Sequence, residues 1–293
     1  MSVRLKQVLA AAILFVGVTA LLIGGAVFLG SLSGLAPTVD IDDAPTTDPD
    51  VEPIDRLSAE GTIDVAEAPS QTIVVDLSQN NHVTQEELQP LTGALVAAGH
   101  DVRVAKSSVE FQQSLAEADG AIVIDPGVSP PEDHLDELEA FVEDGGQLLL
   151  MGRPQVAVIQ EGFIAEQPRE IDTYANRFGF SFSSDHLYDL EANDGNHRNV
   201  ITETSDHALM ADVDEVVVSM AGHLQFADAE PLLVTNESAQ RASGGAAGAY
   251  PVAAVDEDVL AVADVDFLIG ERRNVLDTND FIAALVAFFD PET

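Results

Sequence analysis

Residues 127–154, GVSPPEDHLDELEAFVEDGGQLLLMGRP, decide the fold. Ser129 and Glu132 stand at the S-x-x-E spacing of a capping box, with Pro130 at the first helical position, so the spacing predicts a helix from there. Leu135, Leu138, Phe141 and Val142 fall on one face of that helix, and Gly145-Gly146 supplies the left-handed residue that ends it. Leu148, Leu149, Leu150 and Met151 then follow without any alternation of polar residues. A strand of that kind is covered on both faces, as an interior strand of a parallel sheet is. In such sheets ligands and chemistry sit just beyond the carboxyl ends of the strands, here at Gly152-Arg153-Pro154.

Working outward, the preceding chain repeats the same alternation. Thr72–Leu77 (TIVVDL) is a β-branched strand, followed by the loop SQNNHV and a helix that starts at Thr84 and carries Leu88, Leu91, Leu95 and Val96. Gly99 stops it, Asp101–Ala105 forms a second strand, Phe111–Ala118 a short helix, and Gly120–Ile124 a third strand that turns at Asp125-Pro126-Gly127. Strand and helix joined by short loops predict parallel βαβ units with right-handed crossovers. Beyond Pro154 the pattern loosens. Ile171–Phe178 reads as a helix, and Phe180–Phe182, Glu215–Ser219 and Leu232–Thr235 as short strands. Pro251–Val255 and Val259–Asp264 form a hairpin about Asp256-Glu257-Asp258, and Thr278 caps a last helix with Phe281, Ile282, Leu285, Val286 and Phe289. These strands are expected to extend the sheet, some of them antiparallel. The fold class is therefore α/β, a mostly parallel sheet flanked by helices, preceded by one transmembrane helix and a flexible linker.

The chain has 293 residues and a formal net charge of −39, from 51 acidic residues against 12 basic ones. Its hydrophobic fraction of 46% is that of a folded protein, not of a disordered acidic tail. Self-repulsion at this charge is relieved when molar salt shortens the Debye length to about 3 Å, which points to a high-salt environment. An ordinary acidic exported domain is the alternative. Nucleic acid is a poor partner for such a surface. With no cysteine, the chain has neither disulfides nor a thiolate nucleophile.

Val8–Leu29 is an uncharged apolar run long enough to span a bilayer as a helix. Arg4 and Lys6 precede it, and acidic residues from Asp40 onward follow, so the positive-inside rule keeps the amino terminus in the cytoplasm and the remainder outside. A cleaved signal peptide is the competing reading, disfavoured by the length of the run and by Pro37 after Gly34-Leu35-Ala36. Residues 1–30 are thus expected to form the cytoplasmic end and a single-pass anchor in the cell membrane. Residues 31–70 read as an acidic, proline-rich tether spanning on the order of 35 Å, and residues 71–293 as the α/β domain.

The expected ligand-binding residues are Asp76, Asn81, His82, Asp125, Arg153 and Asp266, which a parallel sheet would gather with Asp264 at its carboxyl edge. The competing reading has these acidic residues capping turns after strands. Asp194, His197, Asp206 and His207 are metal-ligand types without a fixed spacing and read as a loop. Ala242–Ala249 (ASGGAAGA) matches neither G-x-G-x-x-G nor a P-loop and reads as a connection. No G-x-S-x-G elbow occurs. No catalytic residue, metal or cofactor is expected.

From Thr72 to about Phe289 the chain resembles the class I glutamine amidotransferase-like superfamily, in particular a membrane-anchored haloarchaeal branch classed as a domain of unknown function. The resemblance lies in VVDLSQNNHV, LVAAGHDVRV, ADGAIVIDPGVSPPEDHLDELEAFVEDGGQLLLMGRP and AVADVDFLIGERRNVLDTNDFIAALVAFF, in that order. It implies a flavodoxin-like or amidotransferase-like sheet, and a binding or accessory role beside membrane transport components. Active members carry a cysteine at the elbow after the central strand, with a later His-Glu pair. Here Gly152-Arg153-Pro154 stands at that elbow, which excludes glutaminase chemistry. The expected function is a non-catalytic domain that binds a small ligand or protein partner. The alternative is a hydrolase using Asp76, His82, Asp125 or a bound metal.

Overall fold

A computed structural model describes residues 61–290, apart from 155–156, 161–162 and 167–169. The expected anchor at Val8–Leu29 and most of the tether lie outside the described residues, among which no helix is long and apolar enough to cross a membrane.

Nine strands form the main sheet: β1 (Thr72–Asp76), β2 (Asp101–Ala105), β3 (Gly120–Ile124), β4 (Gln147–Met151), β9 (Asn199–Thr204), β10 (Glu215–Ser219), β12 (Glu230–Thr235), β14 (Pro251–Asp256) and β15 (Val259–Val262). Their spatial order is β10-β9-β12-β14-β15-β4-β3-β1-β2. The block from β15 to β2 is parallel throughout, and from β15 to β10 every pairing is antiparallel. β4 has parallel neighbours on both sides, and Leu148–Met151 are fully buried, as their unbroken apolar run predicts.

The helices are α1 (Gln89–Ala98), α2 (Ser108–Leu115), α3 (Glu132–Glu143), α4 (Ile171–Ala175) and α5 (Thr278–Ala287). α1 packs with α5, and α2 with α3. α3 begins later than the capping-box spacing implies. Pro131, in extended conformation, is its N-cap, and no side chain caps it. A residue before proline is pushed out of the helical region, so Pro130 cannot open the helix. Ser129 instead donates its hydroxyl to Glu170 Oε2 at 2.6 Å. The reciprocal box occurs ahead of α1, where Thr84 N donates to Glu87 Oε2 at 2.7 Å and Glu87 N to Thr84 Oγ1 at 3.3 Å. Val96, assigned above to the apolar face of α1, is exposed.

Two further expectations are corrected. Phe180–Phe182 (β7) does not join the main sheet. It pairs with β11 (Leu224–Phe226) in a separate ribbon, because a three-residue strand between tight turns finds its partner where the chain returns past it. β8 (Leu187–Tyr188) with β13 (Gln240–Arg241), and β5 (Ala157–Gln160) with β6 (Phe163–Glu166), make two more ribbons. The last ten residues assigned to the tether also lie on the domain. Ile63 and Val65 pack against the core in alternation with exposed neighbours, and Ala68 N donates to Ala98 O.

Candidate functional site

Five strands pointing the same way bring their following loops to one edge, and there the structure assembles most of the residues the sequence singles out. Arg153 leaves β4 and reaches across that edge. Its Nε and Nη2 donate to Asp125 Oδ2 at 2.9 and 2.6 Å, its Nη1 to Asp266 Oδ1 at 2.7 Å, and its Nη2 also to the His82 carbonyl at 3.0 Å. One guanidinium thus ties the loops after β1, β3 and β15 to β4, using four of its five N–H donors. Its side chain is 18% exposed and that of Asp125 is fully buried. Burial alone would lower the Arg153 pKa, but the charges of Asp125 and Asp266 outweigh it and the net shift is upward.

The backbone is bent to fit. Asp125 sits at φ +40°, a conformation an L-residue adopts at a cost of about 1–3 kcal/mol, and its amide is held by Met151 O at 2.8 Å. Gly127 is required two residues on, because a Cβ there would lie 2.4 Å from Asn80 O and 2.9 Å from His82 Nε2. Asn81 turns inward rather than toward solvent. Its Nδ2 donates to Asp76 O and Ile124 O at 2.9 and 2.6 Å, tying the ends of β1 and β3 together.

Asp76 faces away from this edge. Its Oδ1 accepts the Ser78 amide at 2.8 Å, the turn-capping role of a short acidic residue after a strand. Its Oδ2 lies 3.4 Å from Nε2 of His134, on α3. His134 stacks on Phe111 at 4.5 Å between ring centroids and meets Tyr174 edge-on at 5.8 Å. Asp76, His134 and Tyr174 are all buried, and Asp76 Oδ2, both imidazole nitrogens and Tyr174 Oη make no hydrogen bond among the described residues. Burial, reinforced by the charges of Asp76 and Glu170, pushes the Tyr174 hydroxyl far up, so it stays protonated. This group is sealed beneath α3 and meets no solute while α3 stays in place.

Asp264 closes the other side. It is fully buried, and its carboxylate accepts the amides of Ser219 at 2.9 Å, Val265 at 2.7 Å and Asp266 at 2.8 Å. Burial and the charge of Asp266 push its pKa up to about 7, against those three amides, which favour the ionised form.

Of the six residues expected to bind a ligand, Asp125, Arg153 and Asp266 meet directly, with His82 joining through its carbonyl. Asn81 braces the ends of β1 and β3, while the Asp76 side chain caps the turn at Ser78 and faces His134. Reading the sequence missed His134, although it lies four positions before Leu138 on the apolar face of α3. The Asp194–His207 segment gathers no metal set, and groups able to hold a metal ion are absent among the described residues. A concave region of about 1140 Å³ lies at the opposite, amino-terminal rim, beside Asp119, Gln147 and Asp258. Its acidic lining continues the charge of the whole surface.

The arrangement is that of an α/β domain whose carboxyl-edge loops are tied together by an internal ion network. No family model and no curated protein matches the chain. Among solved structures it is similar to the mmIFT52 N-terminal domain, with a TM-score of 0.58 at 10% identity, covering 74% of this chain and 96% of that one. That likeness is one of fold. Weaker similarities are to a ThuA-like protein from Parabacteroides merdae (TM-score 0.40, 11% identity, 73% of this chain and 90% of that one) and to the glutaminase domain of Trypanosoma brucei CTPS (TM-score 0.34, 11% identity, 74% and 93%).

Proposed function

We propose that this chain is a single-pass membrane protein of a high-salt cell whose extracytoplasmic, amidotransferase-like domain binds a ligand or a protein partner without catalysis. The observation that carries the reading is the Arg153 network. Where a member of the resembled superfamily would present a reactive group, this chain places a guanidinium whose donors are taken by Asp125, Asp266 and the His82 carbonyl. A crevice spent on its own cross-links presents a shaped, rigid surface, which suits recognition.

The test is crosslinking followed by mass spectrometry on the full-length protein in native membranes at molar KCl. The expected result is one recurrent crosslinked partner at the carboxyl edge of the sheet. Persistent absence of a crosslinked partner would remove the reading. In parallel, hydrolase screening compares wild type with a variant lacking Asp76, His82, Asp125 and Arg153. Turnover in the wild type would establish a hydrolase instead, and turnover that survives in the variant would place its chemistry elsewhere.

A further inference from the structure

One cluster outside the Arg153 network gathers cationic and unpartnered polar groups, in a chain that has few cations. Three of the arginines already hold carboxylates: Arg103 with Asp101 and Glu117, Arg153 with Asp125 and Asp266, and Arg177 with Glu132, Asp136 and Glu139. Arg241, half-buried on β13, makes no ion pair among the described residues, and its Nε is buried without a hydrogen bond. In a chain with 51 acidic residues, a half-buried guanidinium that holds none of them is a counter-charge short.

A second buried group lies beside it. His223 is 7% exposed, its Nδ1 makes no hydrogen bond, and its ring is 5.2 Å from that of Tyr250. Its backbone carbonyl accepts the Ser183 amide, and the neighbouring Ala221 carbonyl accepts the Leu187 amide, which brings His223 against β8, the partner strand of Arg241. The glycine-rich segment that the sequence leaves as a connection wraps the same arginine. Gly244 N donates to Arg241 O at 2.9 Å and Ser243 N to Asp185 Oδ2 at 2.8 Å. A Cβ at Gly245 would lie 2.7 Å from Arg241 Nη2, so the guanidinium rests directly on a glycine. Burial and the charge of Arg241 lower the His223 pKa, with Asp185 opposing.

We propose that Arg241 and His223, covered by the segment Ala242–Ala249, form a binding site for a small molecule bearing an oxyanion, either a carboxylate or a phosphate. The unpartnered Arg241 Nε–H, and His223 Nδ1 in the tautomer that carries its proton, would offer two donors to two oxygens of one such group. The exposed loop with positive φ at Gly244 (+96°) and Gly245 (+134°) forms the cover through which the anion enters. The site goes beyond the proposed binding role of the crevice and stands or falls separately from it, because none of its groups belongs to the Arg153 network.

The experiment is a titration of full-length, detergent-solubilised protein carrying ¹⁵N-labelled histidine. Inorganic phosphate and acetate are added in separate arms at constant molar KCl, so that non-specific anion effects are already saturated. The expected result is a saturable shift of the His223 imidazole signals with at least one anion. Phosphate alone assigns a phosphate-bearing ligand, acetate alone a carboxylate. Arg241→Gln should weaken the response at least tenfold, Gly245→Ala should weaken it by displacing the guanidinium, and Arg103→Gln should leave it unchanged. No saturable shift with either anion, or Arg241→Gln and Gly245→Ala both titrating as wild type, overturns the proposal. If Arg241→Gln fails to fold, Gly245→Ala decides alone.

Discussion

Replacing Arg153 by methionine keeps most of the side-chain volume and removes the charge. Asp125 then stays fully buried without the guanidinium that faces it from 2.6 Å, and Asp266 and the His82 carbonyl each lose a donor. Removing one partner of a buried ion pair costs about 3–5 kcal/mol, and the 18% exposure of Arg153 places this case at the lower end, about 3 kcal/mol. For a domain of this size that corresponds to a fall of roughly 6–12 °C in Tm. The assay is urea unfolding of the full-length protein at fixed molar KCl, with urea chosen because guanidinium chloride would change the ionic strength. Asp125→Asn and the double variant complete a cycle. The two groups touch, so the double variant should be less destabilised than the sum of the singles by about 1–3 kcal/mol. A loss below about 0.5 kcal/mol at unchanged m-value, or costs that simply add, would refute the view that Arg153 is a structural bolt.

Asp264 carries a pH dependence of definite sign. Its folded pKa is raised from 3.8 to about 7, so the folded state binds more protons between those values, and this contribution to stability is complete below 3.8 and lost as pH rises toward 7. Thermal melts across that window should show a downward slope that Asp264→Asn flattens; an unchanged slope contradicts the assignment. His134→Ala removes the ring stacked on Phe111 and leaves a void under α3, at an expected cost of about 2–4 kcal/mol by urea unfolding, and a cost under about 1 kcal/mol would show that the site collapses freely. Gly127→Ala drives a Cβ to 2.4 Å from the Asn80 carbonyl, a backbone atom that cannot swing away, and should cost about 2 kcal/mol or more; wild-type stability would show that the loop yields.

The first half of the fold was legible because each element there carries its own signal. β1, β3 and β4 are short apolar runs, β2 (DVRVA) sets valines on either side of Arg103, and α1 to α3 have apolar stripes at helical spacing. The errors arose where a local rule met a stronger neighbour: Pro131 displaced the start of α3, and two or three residues such as Phe180–Phe182 do not announce their partner. The crevice was half legible. Position after a strand identifies Asp125, Arg153 and Asp266, but whether such groups point at a ligand or at one another is decided by distances across segments far apart in sequence. Asp76 shows the same limit, since nothing local tells that its carboxylate turns inward to His134.

The place of β15 beside β4 has a consequence for how the chain is made. Val259 pairs with Leu148, more than a hundred residues earlier, so β4 emerges from synthesis long before the strand that covers its open side. Until then Leu148–Met151 present an apolar edge with unpaired amides and carbonyls, the kind of edge that recruits strands from other chains. A chain cut short before Val259 keeps that edge and should aggregate, which light scattering of the truncated protein would check. In the folded domain Val259–Val262 cover that edge, which makes the β14–β15 hairpin the step that closes the parallel block.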